Sequence, residues 1–255
     1  MRFSRWRAAG NEYLLAKRAE LGEPLTPERV RVEVGGSDGI LEVVSVDDAQ
    51  AEVVIWNPDG STAELSGNGT RIAARWLAGQ SGAGEVTIRV GPREVVARML
   101  PGGQIEQYLG VVEVYDRERV AGLEVVAVSV GNPHAVVVGD PDHLPLIGPL
   151  LETHPRYPER TNVQVVRIDG PGRVTARVWE RGVGETLSSG TGAVAVAAAT
   201  HGEGEVVVSF PGGDLRVRIE DGPISGRWSG SPTTTACGFP TETATTSRPA
   251  TRSRS

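Results

Sequence analysis

The sequence predicts an α/β (α+β) chain in which sheets wrap around a few helices, and three observations carry that reading. Short alternating runs rich in Val and Ile recur along most of the chain, bounded by Gly, Pro and Asp. Helical candidates are few, and the clearest of them, 193–200, is apolar all round, as a helix inside a core must be. A Ser-Gly-x-Gly segment also appears twice, as Ser66-Gly67-Asn68-Gly69 and Ser189-Gly190-Thr191-Gly192, each followed by a helical stretch. The chain therefore reads as a duplicated unit.

Taken in order, the strand candidates are 41–46, 51–56, 85–90, 94–99, 123–128, 135–138, 163–168, 174–179, 205–210 and 215–219. Turns such as Pro101-Gly102-Gly103, Asp169-Gly170-Pro171-Gly172 and Pro211-Gly212-Gly213-Asp214 separate them. Helices are expected over 27–34, 70–78, 146–154 and 193–200. In 70–78, Ile72, Ala73, Trp76 and Leu77 share one side, the pattern of a helix facing a core. The change of half is expected near 115–122. The resulting division is 1–117 for the first half, with 222–230 as a candidate completing segment, and 118–221 for the second. Residues 231–255, rich in Thr, Ser and Pro, have the composition of a disordered tail.

Composition narrows the function classes. With 255 residues, 39% hydrophobic and 23% charged, the chain can bury a sizeable core. A net charge of −6 argues against a nucleic-acid partner. No apolar run approaches a membrane span and no apolar segment follows Met1–Trp6 as in a signal peptide, so the expected location is cytoplasmic. Cys237 is the sole cysteine, which excludes an intrachain disulfide and a cysteine-based zinc site. His143, His154 and His201 lack metal-ligand spacing to acidic residues, so no metal is expected. A homodimer is the common form of association for soluble oligomers, with no surface in the sequence that argues for it.

The start of a helix leaves backbone N–H groups unpaired and carries positive dipole character, which suits a bound anion. Two such starts facing each other would cradle a carboxylate between the hydroxyls of Ser66 and Ser189. For either copy alone, a capped helix with glycines easing the turn is the sufficient reading; the repetition is what points to function. Asn11, Asn57, Asn132 and Asn162 fall at strand ends, where asparagine ordinarily serves a turn. Together with Glu180-Arg181 they form the equipment for an amino acid: guanidinium for carboxylate, carboxylate for ammonium, amides for either. His134 either orients that site, relays protons within it, or is a satisfied structural histidine.

Ala63-Glu64-Leu65-Ser66-Gly67-Asn68-Gly69-Thr70-Arg71, Gly131-Asn132-Pro133-His134, Thr161-Asn162-Val163, and Glu180-Arg181-Gly182-Val183-Gly184-Glu185-Thr186-Leu187 followed by Ser-Gly-Thr-Gly-Ala resemble diaminopimelate epimerase. Gly10-Asn11-Glu12-Tyr13 and Ser37-Asp38-Gly39 match its N-terminal signatures, and the order holds over about 1–230. The resemblance implies two pseudo-symmetric domains, each a curved, mostly antiparallel sheet or partial barrel around a central helix, with the active site in the cleft between them. It also implies cofactor-independent inversion of LL-diaminopimelate to meso-diaminopimelate in lysine and cell-wall precursor synthesis, with a small-molecule amino acid as partner. By the same resemblance Gly67, Asn68, Gly190 and Thr191 bind the reacting carboxylate end. Asn11, Asn57, Asn132, Asn162, Glu180 and Arg181 then bind the rest of the substrate, and His134 joins Ser66 and Ser189 in the catalytic set.

One departure matters most. In the family two cysteines on opposite faces of the α-carbon remove and return the proton, and both positions are serine here, Ser66 and Ser189. A thiol with pKa near ~8.5 exchanges a proton around neutrality, whereas an aliphatic hydroxyl is a much weaker acid and needs a neighbouring base. Three accounts stand open: serines activated by neighbours such as His134 or Glu64, a silent amino-acid-binding site, or a different proton transfer in which Glu64 is the single base. The lead into the Asp-Gly turn, 28–36, is shorter than in the family, and the closing strand is poorly matched after Trp228.

Overall fold

The computed structural model describes residues 3–8, 10–221 and 233–238. The first half runs β1 (Ser4–Ala8), β2 (Asn11–Lys17), α1 (Pro27–Glu33), β3 (Gly39–Asp47), β4 (Gln50–Trp56), β5 (Thr62–Ala63), α2 (Gly67–Ser81), β6 (Glu85–Val90), β7 (Arg93–Met99) and β8 (Ile105–Val114). After the short β9 (Glu118–Val120) the same order returns. It runs β10 (Leu123–Ser129), β11 (Pro133–Val138), α3 (Leu144–Glu152), β12 (Asn162–Gly170), β13 (Arg173–Glu180), β14 (Gly184–Thr186), α4 (Gly190–Thr200), β15 (Gly204–Phe210), β16 (Gly213–Asp221) and β17 (Thr233–Gly238).

Pairing repeats as strictly as order. In the first half β2 and β3 are parallel, β3 and β4 antiparallel, β4 and β6 parallel, and β6, β7 and β8 antiparallel in turn. In the second, β11 and β12 are parallel, β12 and β13 antiparallel, β13 and β15 parallel, and β15, β16 and β17 antiparallel. Each parallel pair needs a crossover, and the four helices supply them: α1 and α2 in one half, α3 and α4 in the other. The halves share one sheet boundary, where β8 pairs with β17 and, at its end, with β10 through Val114 and Val128.

The sheet of each half curves around its second helix. Ile72, Ala73 and Leu77 of α2 pack with Leu41, Val53, Ile55 and Ile88. All of Ala193 to Ala198 in α4 is buried, against Val166, Val174, Ala176, Val206 and Leu215. Each fully buried valine contributes about 1.5–3 kcal/mol. The small side chains of α4 let the sheet close around it on every side.

Both central helices begin three residues before the expected starts, at Gly67 and Gly190 rather than 70 and 193. Glycine is a poor helix former, but a serine cap at each start satisfies a first-turn N–H and holds the turn. α3 also starts two residues early, because Pro145 fits the first turn, where its missing N–H is no loss. Within the stretch that composition reads as tail, Thr233–Gly238 runs as a strand that occupies the free edges of β16 and β8. Residues 222–230, read as a completing segment, and the rest of 231–255 lie outside the described residues.

Candidate active site

The duplication fixes which residues meet. The parallel pairs place Tyr13 opposite Gly39 and His134 opposite Asn162, so Gly10-Asn11-Glu12-Tyr13 and Gly131-Asn132-Pro133-His134 are equivalent turns. Gly10 and Gly131 both take positive φ, +83° and +88°, which glycine adopts without strain. The next register step makes Trp56 equivalent to Trp179, and therefore Asn57 to Glu180. Ser66 and Ser189 are the third equivalent pair.

The two central helices meet head to head. A Cβ on Gly67 would lie 2.7 Å from the Gly190 Cα and 3.1 Å from the Thr191 nitrogen. Ser66 caps α2 by accepting the Gly69 N–H at 3.0 Å, and Ser189 caps α4 by accepting the Gly192 N–H at 3.1 Å. Two positive helix ends are thus focused on one place. Asn68, 3% exposed, donates to Asn11 Oδ1 at 2.7 Å, and its own Oδ1 is buried with no partner among the described residues. Asn132 donates to Thr191 Oγ1 at 3.3 Å, tying the second turn to the second helix head.

A cleft of about 450 Å³ opens beside these helix heads. Asn11, Asn57, Ser66, Asn132, Asn162, Glu180 and Arg181 line it, so seven of the residues expected from the sequence converge. Gly67, Asn68, Gly190 and Thr191 are buried at the helix heads, and Ser189, at 4% exposure, is buried with them rather than on the cleft wall. His134 does not line the cleft. Its ring is held between Asn132 Oδ1, 2.9 Å from Nε2, and the Gln164 amide nitrogen, 3.0 Å from Nδ1. An acceptor at Nε2 and a donor at Nδ1 define the neutral Nε2–H tautomer. Burial pushes its pKa down to about 3. His134 thus braces Asn132 and has no free nitrogen with which to relay a proton.

The cleft is charged on two sides. Glu180 accepts from the Thr186 hydroxyl at 2.5 Å, and burial, with the Asp38 charge adding to it, raises its carboxyl to about 7. Asp38 accepts the Glu12 N–H at 2.6 Å, and burial, reinforced by the Glu12 charge, pushes it up from the usual carboxylate range. Opposite in sign, Arg181 pairs with Glu64 of the other half and donates to the Glu159 carbonyl at 3.2 Å. Asn162 uses both ends of its amide on backbone, donating to the Pro133 carbonyl and accepting the Arg181 N–H. Such a cleft can hold ammonium and carboxylate groups together. No group of side chains suited to a metal ion occurs among the described residues.

Sequence reasoning did not place Tyr13, Asp38, Thr186 or Gln164 in or around the site. For Tyr13 the available signal was its equivalence to His134 in the repeated Gly-Asn turns. For Gln164 no signal existed, since its role depends on a buried ring on the neighbouring strand.

Curated relatives match most of the chain. A diaminopimelate epimerase of Synechococcus sp. (strain JA-2-3B'a(2-13)) is 35% identical over 257 residues, covering 85% of this chain and 90% of the relative. The chain belongs to the diaminopimelate epimerase family. Diaminopimelate epimerase 2 of Nostoc sp. (strain PCC 7120) is likewise 35% identical, covering 87% of this chain and 89% of its own. The family model for diaminopimelate epimerase matches residues 126–224, the second half of the duplication. Solved structures extend the likeness in fold alone. A hydroxyproline epimerase from Agrobacterium vitis, with bound trans-4-hydroxy-L-proline, superposes with TM-score 0.67 at 16% identity, covering 96% of this chain and 90% of that one. A PhzF-family phenazine biosynthesis protein from Bacillus anthracis gives 0.66 at 15% identity, with 96% of each chain covered. Two pseudo-symmetric α/β halves around a cleft are the fold that these structures share with the chain, and the family is one of isomerases.

No described helix is long and apolar enough to cross a membrane.

Proposed function

We propose that this chain binds diaminopimelate in the cleft and inverts its α-carbon, LL to meso, without a cofactor, by proton transfer between faces served by Ser66 and Ser189. The observation that carries the reading is the head-to-head meeting of α2 and α4, each capped by one of these serines. Removing an α-proton leaves negative charge delocalised onto the neighbouring carboxylate. Paired helix starts, fixed before the substrate arrives, stabilise that charge where it develops. Glu180 and Asp38 suit an ammonium, Arg181 a carboxylate, and Asn11 and Asn132 orient what lies between.

The serines set the pace. Neither hydroxyl has a basic side chain within hydrogen-bonding distance among the described residues: Ser66 contacts the Gly69 N–H and the Tyr13 phenol, and Ser189 the Gly192 N–H. Turnover is therefore far slower than two thiols would give. The same observation favours a second reading, an amino-acid-binding homologue that does not turn over. α-Proton exchange of LL-diaminopimelate in deuterated water separates them. Exchange that Ser66→Ala and Ser189→Ala each abolish supports inversion. Binding without exchange supports the silent homologue.

A further inference from the structure

The two halves repeat, but the two serines do not have equivalent neighbours. On the Ser66 side, Tyr13 Oη lies 3.1 Å from Ser66 Oγ. On the Ser189 side, the residue equivalent to Tyr13 is His134, whose two nitrogens are spent on Asn132 and Gln164. Ser189 Oγ has the Gly192 N–H as its partner, and no second one among the described residues.

A hydroxyl oxygen offers two lone pairs and one hydrogen. Ser66 Oγ already accepts the Gly69 N–H. Of the two hydroxyls in contact, the phenol is the stronger acid and the better donor, and the aliphatic oxygen the better acceptor. Tyr13 is 7% exposed, and burial raises its pKa above the usual phenol value, so its proton stays in place throughout the neutral range. With both lone pairs of Ser66 filled, by Gly69 and by Tyr13, its own hydrogen has one direction left. Ser66 and Tyr13 both line the cleft, so a ligand bound there can offer that hydrogen an acceptor.

We propose that Tyr13 is a positioning residue that makes Ser66 an obligate hydrogen-bond donor toward the bound amino acid, whereas Ser189, which accepts the Gly192 N–H and has no phenol beside it, is under no such constraint. The proposal rests on the functional reading above for the identity of the ligand, and on the Tyr13–Ser66 contact alone for the donor assignment.

Two measurements test it. The chain has four tyrosines, so 13Cζ-tyrosine labelling gives few signals, with Tyr13 assigned by its loss in Tyr13→Phe. In half-deuterated water the Tyr13 signal should split into protonated and deuterated components, because a donated, buried proton exchanges slowly. Ser66→Ala should abolish the splitting and Ser189→Ala should leave it. A single averaged signal in the parent, or a splitting that survives Ser66→Ala, overturns the donor assignment with no ligand involved. Calorimetry with diaminopimelate follows. Tyr13→Phe should weaken binding by roughly 2–10-fold in the parent and not at all in Ser66→Ala. Equal weakening in both backgrounds makes Tyr13 a packing residue and refutes the proposal. A parent that shows the split signal but binds no diaminopimelate overturns the substrate reading instead, and leaves the donor assignment supported.

Discussion

Gly67→Ala is the sharpest perturbation that the architecture offers. The added Cβ would sit 2.7 Å from the Gly190 Cα, with backbone on both sides of the contact and no flexible side chain to yield. Carbon atoms rest at about 3.5–4.0 Å, so the two helix heads must part by roughly 0.8–1.3 Å. Overpacking of this kind costs about 1–3 kcal/mol, which corresponds to a fall in Tm of roughly 2–12 °C for a chain of this size. The functional loss should be larger than the loss of stability. A displacement near 1 Å in a preorganised site costs on the order of 10²-fold in rate, and the N–H groups that move are those assigned to the substrate carboxylate. Gly79→Ala is the control: it lies in the same helix with no atom within 4 Å of the new Cβ, and should stabilise by up to about 1 kcal/mol. Thermal melts and calorimetry with diaminopimelate on both variants read the two effects separately. A Gly67→Ala protein that melts like the parent and keeps its affinity would show that the paired helix heads are not the anion site.

Three further outcomes follow from the ionisable and hydrogen-bonded groups. Glu180 titrates near 7 in the folded chain and near ~4.3 when unfolded, so the folded state binds the extra proton between those values and stability falls as pH rises through them; urea midpoints of Glu180→Gln against the parent should converge at low pH and separate in the variant's favour above 7. Affinity for the substrate should rise over the same interval in the parent, as the carboxylate that holds the ammonium ionises, and that rise should be absent from Glu180→Gln. His134→Phe leaves Asn132 Oδ1 and the Gln164 amide buried without the ring that satisfied them, at about 1–3 kcal/mol each. Because the parent ring is held neutral down to about 3, the parent loses stability as pH falls below ~6.5 in a way this variant does not, and urea midpoints from pH 7 to pH 4 should narrow the gap between the two.

The parts of the fold legible in the sequence are those whose signal is local. Val and Ile alternation marks most strands, and the all-apolar run of α4 marks a buried helix. The repeated Ser-Gly-x-Gly marks both helix heads. β2 escaped because Asn11–Lys17 is buried along most of its length and does not alternate. β8 escaped because polar residues and a glycine interrupt its alternation: Gln107 is fully buried, and what permits this is its contact with Thr70 Oγ1 at 2.9 Å, a partner 37 residues away. In the site, the asparagines and Glu180-Arg181 were visible as a set. The division of labour between Tyr13 and His134 was not, because it depends on which neighbours fill two equivalent positions. Asp38 was legible as part of a turn, but its place in the cleft comes from the parallel register of β2 and β3.

The central claim is that this cleft is an epimerase site in which hydroxyls occupy the acid–base positions. The most direct test compares the parent with the Ser66→Cys/Ser189→Cys double variant for α-proton exchange and inversion of LL-diaminopimelate in deuterated water. The account predicts slow exchange by the parent and an increase of roughly 10²–10⁴-fold in the double variant, the range that a positioned acid–base group contributes. A double variant that neither exchanges nor inverts diaminopimelate, while remaining folded, would contradict the assignment.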